Sequence, residues 1–156
     1  MLKQINKPAV LVPGNSESAE ELVRACADWP SAIVLHGDGV TVAGIRFFGL
    51  GGGIPVTPFG AWSYDFTDEE AAEMLSRCDH CDVLVSHSPP LDAVDLSSNG
   101  RRLGSPAIRT AVETIRPQLV VCGHIHASSG KQAKIGATTV INAGPAGLMF
   151  ELTTSF

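Results

Sequence analysis

The sequence predicts an α/β fold, a mixed sheet layered with helices. Three observations carry that prediction. Short apolar runs alternate with helical stripes as far as residue 126, and strand-like segments alone follow. Three of the runs end in a small turn and then a metal-capable side chain: Val10-Leu11-Val12-Pro13-Gly14-Asn15, Val83-Leu84-Val85-Ser86-His87 and Val120-Val121-Cys122-Gly123-His124-Ile125-His126. Ligands of an open α/β sheet gather beyond the carboxyl ends of its strands, so neighbouring strands of this kind bring Asn15, His87, His124 and His126 to one rim.

The elements follow in order. Ala9 to Val12 reads as the first strand. Ser18 and Glu21 have capping-box spacing, and Ala19, Leu22, Val23 and Cys26 make a helical stripe behind them. Ala32 to Leu35 is a second apolar run. Val40 to Leu50 alternates and ends in Gly51-Gly52-Gly53, which reads as one strand and a turn. The loop from Gly51 to Asp65 is long and apolar, so it is expected to pack over the rim of a site, with Trp62 and Tyr64 as possible pocket walls. Thr67 and Glu70 form a second capping box before the stripe Ala71, Met74, Leu75, Cys78. After His87, a loop runs from Ser88 to Gly104. Ser105 and Pro106 read as N-cap and first turn of a helix that presents Ile108, Ala111, Val112 and Ile115. Leu119 to Cys122 is a buried strand, and the tail holds short strands broken by Gly136 and by Asn142-Ala143-Gly144-Pro145. Residues 1–156 read as a single domain.

Composition narrows the function. With 44% hydrophobic and 17% charged residues the chain is globular, not disordered. A net charge of -5 argues against stable nucleic-acid binding, which needs a basic face. No apolar run approaches the ~20 residues of a membrane span, and the first residues lack a signal-peptide core, so a cytoplasmic address is expected. Cys26 and Cys122 read as small core residues. Cys78-Asp79-His80-Cys81 has no second cysteine pair, so it does not read as a structural zinc site.

An amide oxygen and three imidazoles suit one or two divalent transition ions. Gly123 is expected to let the backbone approach a metal closely. A turn between His124 and His126 would let each serve a different ion, and two ions ~3.5–4 Å apart clamp a phosphoryl ester. His36 precedes a Gly-Asp-Gly turn and His80 lies inside the CxxC, so neither joins the set. Arg101 and Arg102, with the helix start at Ser105, are candidate contacts for a substrate anion.

Taken as an ordered set, Gly14-Asn15-Ser16-Glu17, Ser86-His87-Ser88-Pro89-Pro90 and Gly123-His124-Ile125-His126 resemble the motifs of the calcineurin-like metallophosphoesterases. Gly51-Gly52-Gly53, Gly104-Ser105 and Asn142-Ala143-Gly144 are similar to its small bacterial and archaeal branch. The resemblance implies an α/β/β/α sandwich with mixed sheets. It implies that Asn15, His87 and His124 bind one ion and His126 another, with manganese, iron or zinc as occupants. It further implies that metal-activated hydroxide hydrolyses a phosphomono- or diester, either a small molecule or a nucleotide. Two departures stand out. The family's Asp-x-His and Gly-Asp strand ends belong before Gly14, where residues 1–13 hold no Asp or His, so the chain is expected to lack the family's first β-α-β unit. Ser16 stands where many relatives place a His. A missing strand should bare a sheet edge and an apolar face, and so favour a homo-oligomer. The departures also support a second reading, a non-catalytic module that binds a partner or a single metal. A metal amidohydrolase fits poorly, because its His-x-His opens a much longer barrel.

Overall fold

The computed structural model describes residues 6–153. Two sheets form. β1 (Ala9–Leu11) and β2 (Ala32–Val34) make a parallel pair, joined through helix α1 (Ala19–Ala25). The larger sheet has six strands: β3 (Asp38–Val42), β4 (Ile45–Leu50), β5 (Val83–Ser86), β6 (Leu119–Cys122), β7 (Gln132–Ile135) and β8 (Thr138–Asn142). Their order is β3-β4-β5-β6-β8-β7. The four central strands run parallel, and an antiparallel hairpin closes each edge. Helices α2 (Asp68–Leu75) and α3 (Pro106–Ile115) are the connections into β5 and β6.

The pleat sorts the core into two sides. Phe48, Leu84, Val120 and Val140 pack with Ala71, Leu75, Ile108 and Val112 of the helices. Phe47, Val83, Val85, Leu119, Val121 and Ile141 line the opposite face. The small sheet lies against that second face over β4. A Cβ on Gly49 would fall 2.3 Å from the Leu35 side chain and 3.0 Å from a Val12 methyl, so only glycine lets the layers close here. With α1 against β2, the layers run α/β/β/α, as the resemblance implies.

Three expectations need correction. Val40 to Leu50 is not one strand but the β3–β4 hairpin, which turns at Ala43 (φ 50) and Gly44 (φ 82). Two consecutive left-handed residues suit a two-residue hairpin turn, but Ala-Gly lacks the Asn or Asp that usually marks it. The α1 stripe is not buried: no residue of the helix is, and Val23 is 54% exposed. A two-stranded layer is too narrow to cover it. Trp62 walls nothing, being 92% exposed, and Tyr64 packs edge-on against Phe66 beside His36.

Among the described residues, no strand pairs with the second edge of β1. Beside that edge, a trough of about 300 Å³ remains over the large sheet, lined by Pro8, Val10, Phe47, Val85, Val121 and Leu152.

Candidate metal centre

Three strand ends build the site, and backbone bonds tie them together. The His87 amide donates to Leu50 O at 3.0 Å, and the Gly123 amide donates to His87 O at 3.0 Å. The ends of β4, β5 and β6 are thus held level. His124 has φ 63, in the left-handed region, and the Ile125 amide closes a tight turn onto Gly123 O at 2.7 Å. Asn142, at the end of β8, braces that turn: its amide nitrogen donates to Gly123 O at 3.1 Å and to Ile125 O at 3.0 Å. Asn15 arrives from the small sheet after the Pro13-Gly14 turn, and its carbonyl accepts from the Tyr64 amide.

The side chains then converge. Asn15 Oδ1 lies 3.0 Å from His87 Nε2, and His87 Nε2 lies 3.1 Å from His124 Nδ1. Two donors each ~2.1 Å from one ion, at right angles, would stand about 3.0 Å apart. The spacing and the donor types therefore fit a divalent transition ion. Among the described residues, no three His, Cys, Asp or Glu side chains form such a group, and the third side chain in this cluster is the Asn15 amide.

Burial keeps both imidazoles neutral. It pushes His87 down, with help from His124 and His126 and against Asp65, to about 4. It also lowers His124, partly offset by the Asp65 carboxylate and reinforced by His126. Neutral rings are the form that binds metal, so no proton needs displacing near neutral pH. His126 starts a 3-10 turn and is exposed, near enough for its charge to act on both rings but outside the hydrogen-bonded trio.

The amide of Asn15 is fixed from behind. Its Nδ2 donates to Ser63 Oγ at 3.0 Å, and Ser63 donates to Asp65 Oδ1 at 2.6 Å. Asp65 Oδ2 accepts from the Thr57 amide at 2.8 Å and from its hydroxyl. Burial alone would raise the Asp65 carboxyl, but these bonds from Ser63 and Thr57, with His124 nearby, hold it below the usual carboxylate range. Sequence reasoning passed over Ser63, Asp65 and Asn142 as site residues. Only the Ser-x-Asp spacing and the Asn-Ala-Gly turn hinted at them.

A cavity of about 640 Å³ opens beside His124, lined by Pro55, Val56, Phe59, Asn99, Arg101 and Leu103 among others. The loop after Gly51 therefore does border the site, through residues 55–59 rather than through Trp62. Arg101 is exposed on the cavity wall. Arg102 also borders it, but its guanidinium is held by the fully buried Asp95 at 2.7 Å and by Asp92 at 3.5 Å. Ser105 is fully buried and has no route to a substrate: it caps α3 by accepting from the Ile108 amide and donates to Asp68. The Ala107 amide also donates to Asp68. A carboxylate from α2 thus takes the place that was expected for a phosphate at the start of α3. A Cβ on Gly123 would meet no protein atom nearer than His87 O at 3.9 Å, so packing within the chain does not itself demand glycine there.

Residues 1–148 match the model of the family described as "Metallophosphoesterase, calcineurin superfamily". UPF0046 protein K07C11.7 of Caenorhabditis elegans is 32% identical over 114 residues, 70% of this chain and 36% of that one. UPF0046 protein T07D4.2 of the same animal is 42% identical over 50 residues, 31% of this chain and 13% of that one. A crystal structure superposes with a TM-score of 0.74 at 19% identity, over 92% of this chain and 60% of its own. The chain therefore spans about a third of the longer-matching relative and well under the whole of the solved fold. By the extent of the family match and the fold it shares, the chain belongs to the calcineurin superfamily of metallophosphoesterases.

Proposed function

We propose that this chain supplies a metal site for hydrolysis of phosphomono- or diesters, with a small phosphate ester or a nucleotide as substrate. The observation that carries the reading is the convergence of Asn15 Oδ1, His87 Nε2 and His124 Nδ1 from three separate strand ends. In this reading Asn15, His87 and His124 hold one divalent ion (manganese, iron or zinc), and His126, which is exposed, serves a second. A bound ion would supply Lewis acidity, which lowers the pKa of water and neutralises charge on phosphoryl oxygens. The protein's own part is positional: β5 and β6 fix the imidazoles, burial keeps them unprotonated, and Arg101 meets the anionic ester from the cavity wall. Four free cysteines suit a reducing compartment, so we place the protein in the cytoplasm.

The test is metal-dependent turnover of an aryl phosphate. Protein stripped with chelator and reloaded with manganese should hydrolyse it, and His87→Ala should lose at least about 100-fold, since even outer-shell changes cost 10–100-fold. Equal rates for both proteins would overturn the proposal. A second reading, a module that binds a single ion without catalysis, is favoured by the lack of a carboxylate among the three converging donors. Metal analysis separates the two: two ions per chain support the enzyme, one supports the module.

A further inference from the structure

We infer that Asp65 and Ser63 are positioning residues which fix the orientation of the Asn15 amide toward the metal site. The inference rests on the metal reading above. Its logic is the direction of hydrogen bonding. An ionised carboxylate can only accept, whereas a serine hydroxyl has one proton and two lone pairs. Both Asp65 oxygens are engaged: Oδ2 by the Thr57 amide and hydroxyl, Oδ1 by Ser63. Ser63 therefore spends its only proton on Asp65, and its remaining capacity toward Asn15 is as an acceptor. The Asn15 group facing Ser63 must then be the NH2, at 3.0 Å. The oxygen is left on the far side, 3.0 Å from His87 Nε2. A side-chain amide otherwise has two nearly isosteric orientations, one offering oxygen to a cation and one offering N–H. Here a carboxylate two bonds away selects the first.

The chain of contacts also explains why the loop after Gly51 folds back onto Asn15. Gly53 makes room for it: a Cβ there would fall 2.2 Å from Asp65 Oδ1. The Tyr64 amide, between the two relay residues, donates to Asn15 O at 2.8 Å. Backbone and side chain of Asn15 are thus both held by residues 63–65.

Asp65→Asn tests the polarity. Its oxygen must still face the two Thr57 donors, so its NH2 faces Ser63. The serine proton then turns to Asn15, and the amide flips to present N–H to the site. The readout is affinity for Co2+ alone, followed by its visible absorption, with thermal melts of the metal-free proteins as a folding check. Asp65→Asn and Ser63→Ala should each weaken Co2+ binding about 10–100-fold, and Ser63→Thr should restore it. Loss of the Asp65 charge is separated by the Asn15→Asp background, where either orientation offers oxygen: adding Asp65→Asn there should cost less than about threefold. His87→Ala serves as control. If His87→Ala abolishes binding while Ser63→Ala and Asp65→Asn bind as wild type, the relay is wrong and the metal site stands. If Asp65→Asn costs as much with Asp at 15 as with Asn, the effect is charge and the relay is wrong. If His87→Ala binds as wild type, the metal reading itself fails.

Discussion

His87 shows how one buried side chain sets conditions for the site. Its imidazole is pushed down to about 4, burial being the main cause, while in the unfolded chain it titrates near 6.5. A group with a depressed folded pKa is protonated first in the unfolded state, so acid favours unfolding. Stability is complete above pH ~6.5 and falls as pH drops from there through about 4. His124 and His36, both lowered chiefly by burial, act in the same direction. For metal-free protein, urea melts at pH 7 and pH 4.5 should differ by a contribution from His87 of up to about 2–3 kcal/mol, and His87→Gln should remove that part. An unchanged pH dependence in His87→Gln would refute the assignment. At this scale the sequence was informative about which side chains converge and silent about their supports. His87 and His124 follow apolar runs and small turns, which local pattern shows. Asn142 and Asp65 act on residues 17–19 and 50 positions away, a relation that exists only once the sheet and loop have folded.

Elements with a local signature formed as read. Both capping boxes are present, Ser18 with Glu21 and Thr67 with Glu70, because each depends on residues three apart. The Ser105-Pro106 start of α3 is likewise local. What caps it further is not: Asp68 reaches across from the first turn of α2 to Ser105 and Ala107. The starts of α2 and α3 are therefore fastened to each other. Ser105→Ala should destabilise the protein by about 2 kcal/mol, toward the upper end for N-caps because a partly buried bond to the Asp68 carboxylate is lost too. Denaturant titration reads this directly, and a change below about 0.5 kcal/mol would show that Asp68 is satisfied without Ser105. The β3–β4 hairpin escaped the sequence reading for the converse reason. Its turn residues, Ala43 and Gly44, carry little turn signal, and the alternation simply continued through them.

At the scale of the whole molecule, the four layers are unequal. The six-stranded sheet packs α2 and α3 on one face, whereas among the described residues the other face meets two short strands and Leu152. Phe47, Val85 and Val121 stay partly exposed in the trough beside the edge of β1 that has no strand partner among the described residues. Unpaired edges and apolar faces recruit partners, so we expect the chain to self-associate there. Light scattering should show species larger than one chain as concentration rises, and Val10→Lys should return the protein to monomer. Monomeric behaviour at every concentration would overturn this. The layered architecture was legible from the alternation of strand and helix patterns; that β1 and β2 form a sheet of their own, rather than joining the larger one, has no local signature.

The candidate ligands do not belong to one layer. Asn15 hangs from the small sheet, while His87 and His124 stand on the large one. A cation shared by all three would rivet the sheets across the seam that Gly49 keeps narrow. Occupancy and closure then become linked equilibria, and every increment of binding free energy is also an increment of cohesion between layers. Stripping the ion would loosen that seam first, leaving the helix-backed sheet as the last part to melt.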